Sequence, residues 1–336
     1  MKMILLSALV TAASVVVIPA VPVLASQRTS AQAETAPADD EKPAPAGYYK
    51  VLCTSTGEVR EVPVREYVIG AVCAEMPAAF EEEALKAQAV AAHTYAERQH
   101  LRELASPTPG LCGADLSDDT SVYQGFLTEE EAKKCYGENA DAYYSRISEA
   151  VDEVLPYIIT FDDEPIIAAF HSISPGMTES AGNAWGTDVE YLIPVDSSED
   201  TSAPRYLDEQ RFSAETLRYM LETAFPGISL GEDMTEWLSV IAVSPSGTVI
   251  SARAGDLTVT GYDVKQALSL RSPAFDVRYE DGDAVVTTRG FGHGVGMSQY
   301  GANSMAAAGS SWQEIIAHYY PSCELTELSQ LDRFVR

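Results

Sequence analysis

Glu75 is an acidic residue where an apolar one is expected. Val64, Tyr67, Val68, Ala71 and Val72 stand at offsets 0, 3, 4, 7 and 8, the stripe of a helix with one buried face. Glu75 takes the next position of that stripe, offset 11, just before Met76-Pro77. On an inward face, desolvation would raise its pKa and keep it protonated near neutral pH. A protonated carboxylic acid at a helix end that opens on a cleft is what a general acid requires. The same spacing also fits a frayed C-terminal residue that points to solvent or pairs with an arginine. Glu179 is the second acid candidate.

Two other segments concentrate polar chemistry. His171-Ser172-Ile173-Ser174 follows a strand-like run, and alternation puts His171 and Ile173 on one face and Ser172 and Ser174 on the other. With Thr178 and Glu179, these groups suit hydrogen bonding to a hydroxyl-rich ligand such as a sugar, or a polar loop built on serine turns. Residues 290–301 hold five glycines in twelve positions around His293, followed by Ser298, Gln299 and Tyr300. That density serves either close approach of backbone to a ligand or a tight packing turn. Two histidines and a serine raise the idea of a Ser-His-Asp hydrolase, but the chain has no Gly-x-Ser-x-Gly elbow. Trp185 and Trp312 fit either sugar stacking or a core.

These groups need a scaffold. Tyr48–Thr54 and Glu58–Val62 read as strands around Thr56-Gly57. The helix from Val64 stops at Pro77, because a residue before proline avoids helical geometry. A second helix starts after Phe80, with Glu81, Glu82 and Glu83 at its positive end and a narrow face of Leu85, Ala89, Ala92 and Ala96. Residues 106–121 are turn-rich, and 129–154 read as helix in more than one piece. A hairpin is predicted from 157–161 and 166–170, helices near 205–225 and 260–270, and strands near 238–244 and 284–288. The sum is an α+β fold, mixed helices and antiparallel strands around a substrate cleft, without a phosphate loop or Rossmann fingerprint.

The chain has 336 residues with 50 Asp+Glu against 22 Lys+Arg, a formal net charge of −28. Such acidity argues against a nucleic-acid partner and against adhesion to anionic lipid or anionic polymer through charge. It leaves ligand recognition to a neutral cleft. Five cysteines are too few for a disulfide framework. Residues 3–27 carry no charge and follow Lys2, so they read as an export signal. Val23-Leu24-Ala25 offers a cleavage site, while the length suffices to span a bilayer of roughly 30 Å. Residues 1–25 are thus a transmembrane signal-anchor or a signal peptide, and both send the rest outside the cytoplasm. Residues 26–46, rich in Ala, Pro and Glu, read as a disordered linker, and 47–336 as the catalytic unit.

Three blocks carry a family resemblance. The first is Tyr67-Val68-Ile69-Gly70-Ala71-Val72-Cys73-Ala74-Glu75-Met76-Pro77, continued by Phe80 and Glu83 to Tyr95. The second runs from Pro165 to Ser180, and the third from Gly290 to Ala302 and on to His318-Tyr319-Tyr320-Pro321. Leu270-Arg271-Ser272-Pro273-Ala274-Phe275 is a weaker match. In this order they resemble the stage II sporulation protein D family over about 48–325. The resemblance implies a lytic transglycosylase that cuts the MurNAc–GlcNAc bond of peptidoglycan strands stripped of stem peptides, during engulfment of the forespore. Glu75 matches the catalytic acid, and His171, Ser172, Ser174, Thr178, Glu179, His293, Ser298, Gln299 and Tyr300 are the candidate substrate-binding residues. It further implies a single-pass membrane anchor, with secretion after cleavage near Ala25 as the alternative. A partner amidase/endopeptidase and a small membrane protein are implied as partners, and no cofactor.

The chain departs from the family pattern twice. His93 stands where an arginine usually precedes Thr-Tyr, so any carboxylate held there is held weakly and in a pH-dependent way. Some members bind zinc through a Cys/His cluster before a Tyr-Gln pair. Here Cys112 precedes Tyr123-Gln124 with only Asp115, Asp118 and Asp119 between, so no zinc is expected, although His100, Cys112 and Cys135 bear on the point. Amidase-enhancer proteins share the same blocks. The alternative function is therefore a non-catalytic glycan-binding enhancer of a cell-wall amidase.

Overall fold

A computed structural model describes residues 47–330. The expected membrane segment (1–25) and linker (26–46) lie outside the described residues. Among the described residues no helix is long and apolar enough to cross a membrane. The architecture is mixed α+β, as expected, but its apolar side chains gather into two main cores within the span read as one catalytic unit.

The larger core begins with the hairpin β1 (Tyr48–Cys53) and β2 (Glu58–Pro63), paired antiparallel from Tyr48↔Pro63 to Cys53↔Glu58. Helix α1 (Val64–Glu75) follows directly and buries Val64, Tyr67, Val68, Ala71 and Val72, the predicted stripe. Met76 is extended (φ −124°, ψ 138°) ahead of Pro77, which ends the helix as anticipated. Helix α2 (Glu82–Ala105) departs from the narrow-face reading: every residue from Ala84 to Glu97 is buried. Its alanines let neighbours pack on all sides. Its buried charged groups Lys86 and Glu97 find partners: Lys86 meets Glu82 at 2.8 Å, Glu83 at 3.1 Å and Glu153 at 2.6 Å, and Glu97 accepts the Tyr49 hydroxyl at 2.7 Å.

Strand β3 (Leu116–Ser117) runs parallel to β1. Residues 129–154 form two helices, α3 (Glu129–Tyr136) and α4 (Ala140–Val154). Strand β4 (Tyr157–Phe161) pairs with the two-residue β5 (Glu164–Pro165), so the hairpin is real but its second arm is short. Beyond β5, residues 166–169 form no strand: Ile166 N–H still donates to the Ile159 carbonyl at 3.1 Å, and Ala169 N–H turns back on the Ile167 carbonyl at 2.8 Å. β6 (Phe170–His171) and α5 (Ala181–Trp185) follow.

The second core is built from β7 (Leu207–Ser213), α6 (Ala214–Ala224), β8 (Leu238–Val243), β9 (Val249–Ala254), β10 (Leu257–Val259), α7 (Gly261–Ala267), β11 (Phe275–Glu280) and β12 (Asp283–Arg289). The strands form two antiparallel sheets, β10-β9-β8 and β11-β12-β7. The helix predicted at 205–225 is half strand. Leu207–Ser213 is a largely polar edge with only Phe212 buried, so its sequence lacks the apolar alternation that marks a strand. The chain then returns through β13 (Met297–Ser298), α8 (Gln299–Ala307), α9 (Trp312–Tyr319) and β14 (Glu324–Glu327), the last paired with β4.

Candidate active site

The second and third sequence blocks are joined edge to edge. β6 and β13 pair in parallel (Phe170↔Met297, His171↔Ser298), and bridges join Ile173 to Phe291 and Glu179 to Val295. The glycines make this approach possible. At Gly292 (φ 113°) a Cβ would lie 2.8 Å from the His171 Cβ, and at Gly296 (φ 71°) it would overlap the Ala169 carbonyl. The glycine density therefore serves packing between two backbone segments, the second of the two uses its composition allowed.

A cleft of about 150 Å³ opens between this double segment and the C-terminal end of α1. Glu75 is the last residue of α1, partly buried, and lines the cleft. Its Oε1 accepts the Gly125 N–H. Its backbone carbonyl, one of those a helix C-terminus leaves without an intrahelical partner, accepts the Gln299 Nε2 at 3.0 Å. The same Gln299 nitrogen donates to Gln88 Oε1 at 3.3 Å. Gln299 thus ties α8 to the end of α1 and fixes where the carboxylate starts.

The Gly125 N–H reaches Glu75 because the loop over 124–127 lies flat on α1. Leu127 N–H donates to the Gly70 carbonyl at 3.1 Å, and any side chain at Gly70 would overlap the Leu127 carbonyl. Gln124 anchors the other end of the loop: its Nε2 donates to the Tyr67 hydroxyl at 3.2 Å and to the Ala92 carbonyl at 3.1 Å. Its Oε1 is buried without a hydrogen-bond partner among the described residues, and the residue lines the cleft.

His171 and His293 face one another with ring centroids 5.7 Å apart, and Trp185 lies 5.7 Å from His293. Burial pushes His171 down to about 4 and His293 to about 3, so both rings are neutral at physiological pH. The neighbouring His171 and Lys265 add to the effect at His293. The hydrogen bonds assign the tautomers: Nδ1 of His171 donates to the Val295 carbonyl at 3.1 Å, and Nδ1 of His293 accepts the Val295 N–H at 3.1 Å. That leaves Nε2 of His171 as a bare acceptor, buried and without a partner among the described residues, on a residue that lines the cleft.

Of the candidates named from sequence, Glu75, His171, Ser172, His293, Gln299 and Tyr300 meet at the cleft. Tyr300 packs edge-on against Phe80 at 4.9 Å. Ser174, Thr178, Glu179 and Ser298 are wholly buried beside it and are not among its lining. Ser174 N–H donates to Asp200 at 2.8 Å, Thr178 Oγ1 accepts the Val195 N–H at 2.9 Å, and Ser298 caps α8 through Gly301 N–H at 3.2 Å. Glu179 accepts from Ser180 N–H (2.8 Å), Asn183 (2.9 Å), Ser244 (2.6 Å) and Ser246. Burial works to raise its pKa, but these donors outweigh it and hold the carboxyl ionised. It joins the two cores rather than facing a ligand. Trp185 lines the cleft, whereas Trp312 is core, against Tyr157.

The lining also holds Gln124, Arg205, Arg271 and Phe291, to which sequence reasoning had given no role. The arginines correct the expectation of a neutral cleft. His93 holds no carboxylate: it is buried, makes no ion pair among the described residues, and burial lowers its pKa to about 4. The positions weighed for zinc have other partners or stand apart. Asp115 is engaged by His100 at 3.0 Å, Asp118 by Thr54 and Asp119 by Ser121, and Cys112 stands exposed. Among the described residues no three such side chains converge on one point.

The family model described as "Stage II sporulation protein" matches residues 53–161, which contain α1, Glu75 and the 124–127 loop. The chain is similar to stage II sporulation protein D of Bacillus amyloliquefaciens, 38% identical over 279 residues, which covers 82% of this chain and 78% of that protein. The same protein of Bacillus subtilis (strain 168) is 36% identical over 285 residues, covering 85% of this chain and 80% of its own length. The amidase enhancer of Bacillus subtilis is 26% identical over 310 residues, which is 76% of this chain but 40% of that protein. With identity well above 30% across most of both chains, and three sequence blocks that close on one cleft, the chain belongs to the stage II sporulation protein D family.

Proposed function

We propose that this protein is a peptidoglycan lytic transglycosylase that cuts the MurNAc–GlcNAc bond of strands without stem peptides, with Glu75 as its acid and base. One observation carries the reading: among the described residues, Glu75 is the only carboxyl group lining the cleft. Glycosidases that use water set two carboxyl groups roughly 5 to 10 Å apart, one as acid and one as base or nucleophile. A single carboxyl suffices if the substrate supplies the nucleophile. Glu75 protonates the glycosidic oxygen as its bond to C1 of MurNAc breaks. The carboxylate so formed takes the proton from the MurNAc O6 hydroxyl while O6 bonds to C1. The proton lost is regained, a 1,6-anhydro end forms, and no water or cofactor is consumed.

The surrounding groups support that cycle. The Gly125 N–H holds one carboxylate oxygen and Gln299 holds the backbone behind it. Trp185, which lines the cleft, offers an apolar face to a pyranose. We place the cleft outside the cytoplasm, on a chain anchored through residues 1–25, acting in forespore engulfment beside an amidase/endopeptidase and a small membrane protein. The similarity to an amidase enhancer favours a second reading, a non-catalytic glycan binder that stimulates an amidase. Incubating denuded strands with the protein alone separates the two. The enzyme reading expects 1,6-anhydro-muramic ends, reduced at least about 100-fold by Glu75→Gln. No such ends without an amidase, or equal yields from Glu75→Gln, would contradict it.

A further inference from the structure

The chain carries 50 acidic and 22 basic residues, yet the cleft lining holds two guanidinium groups, Arg205 and Arg271, against one carboxyl group. Arg205 sits where the chain enters the second core, and Arg271 in the connection between α7 and β11. Arg205 lies in a turn closed by Tyr206 N–H on the Ala203 carbonyl at 3.1 Å, with Pro204 at the second position. Arg205 takes the third position at φ 65°, which such a turn ordinarily gives to glycine or asparagine. A long side chain in that left-handed conformation is strained, and strain of this kind collects at functional sites. Nothing inside the protein repays it: the exposed Arg205 guanidinium makes no ion pair or hydrogen bond among the described residues.

Arg271 stands behind it in a fixed pose. Its guanidinium meets Asp208 at 3.3 Å, donates to the Arg205 carbonyl at 3.3 Å and lies 5.6 Å from the Phe291 ring. It holds the Arg205 turn against the cleft while keeping N–H donors to spare, since a guanidinium carries five. Opposite charge pulls an anion toward this wall, and the fork of a guanidinium matches a carboxylate.

We propose that Arg205, supported by Arg271, forms a carboxylate subsite that reads the free lactyl group of a muramic residue. The proposal rests on the glycan reading above. In a strand bearing stem peptides that carboxyl is consumed in an amide, which has no charge and extends into a chain. The subsite therefore gives a physical basis for choosing stripped strands.

Binding, measured without turnover, tests this. The full-length protein with Glu75→Gln is titrated calorimetrically with two sets of glycan strands of equal length. In one the lactyl carboxylates are free, and in the other they are converted to methylamides. A charge-assisted hydrogen bond predicts at least about 10-fold tighter binding of the free form. Adding Arg205→Gly, which suits the backbone at this position, should bring the two forms within about 2-fold of one another. Equal binding of the two forms before that change, or a preference that survives it, overturns the subsite and leaves the glycan reading standing. Binding of neither form overturns both.

Discussion

Gly125→Ala is a one-methyl probe of how Glu75 is held. A Cβ built at Gly125 lies 2.9 Å from the Ala74 Cβ and 3.0 Å from Glu75 Oε1. Carbon atoms at contact sit about 3.5–4.0 Å apart, so something must move. The loop resists, because Gln124 is tied to Tyr67 and Ala92 and Leu127 to Gly70. Ala74 is part of α1 and moves only with it. The added methyl presses on the Glu75 carboxylate and displaces it from the Gly125 N–H. A hydrogen bond to a charged group is worth about 1.5–3 kcal/mol, and if it is needed in the transition state that loss lowers kcat by roughly 10- to 100-fold. The assay is steady-state cleavage of denuded strands with kcat and KM resolved, beside thermal melting. KM should stay within about 2-fold, because glycan contacts elsewhere in the cleft are untouched. Gly110→Ala, where nothing lies within 4 Å, is the control and should match the parent. An unchanged kcat in a folded Gly125→Ala protein would refute the claim that this N–H positions the acid.

Two further outcomes follow from the buried groups. Glu179→Gln removes the charge that four donors surround and should cost about 2–4 kcal/mol in urea unfolding, whereas a change under about 0.5 kcal/mol would show that the link between the cores is not held by that charge. His293 is neutral when folded, at about 3, against about 6.5 unfolded, so between these values the unfolded chain binds the extra proton and stability falls as pH falls. His293→Gln should flatten that acid limb by up to about 1.4 kcal/mol per pH unit, as unfolding free energies at several pH values between 6.5 and 4 would reveal. Because His171 is held near 4 for the same reason, His171→Gln should leave any limb of the kcat/KM profile between pH 6 and 7 in place, and a limb there that vanishes with His171 would contradict the neutral assignment.

How much of this site could be read from sequence depended on the range of the contact. Glu75 was legible because a local stripe, Val64 to Val72, ran straight into it and Pro77 marked the exit. Gln124 and Gly125 were not, since they stand between the turn-rich 106–121 and the helices from 129, and matter only because their loop docks on α1 some fifty residues earlier. Arg205 and Arg271 gave no periodic signal, lying in connections whose meeting is set by the second core. The strand Leu207–Ser213 passed for helix because its exposed edge carries little apolar alternation. Residue type also misled in one direction: Ser174, Thr178, Glu179 and Ser298 have the chemistry of ligand contacts but spend it on internal hydrogen bonds, the Ser174 hydroxyl by accepting the Gly176 N–H at 3.1 Å. Which use a polar group serves is decided by whether its partner is backbone or cleft, and spacing does not carry that information.

The central claim, that one carboxyl group cuts the strand with the substrate's own hydroxyl, is tested most directly by digestion in ¹⁸O-labelled water followed by mass spectrometry of the new ends. The account predicts ends lighter by one water than a hydrolysis product, with no ¹⁸O, and no such ends when Glu75 is glutamine. Reducing ends that carry ¹⁸O would contradict it, for they would require a water nucleophile and a second base that the cleft lining does not supply.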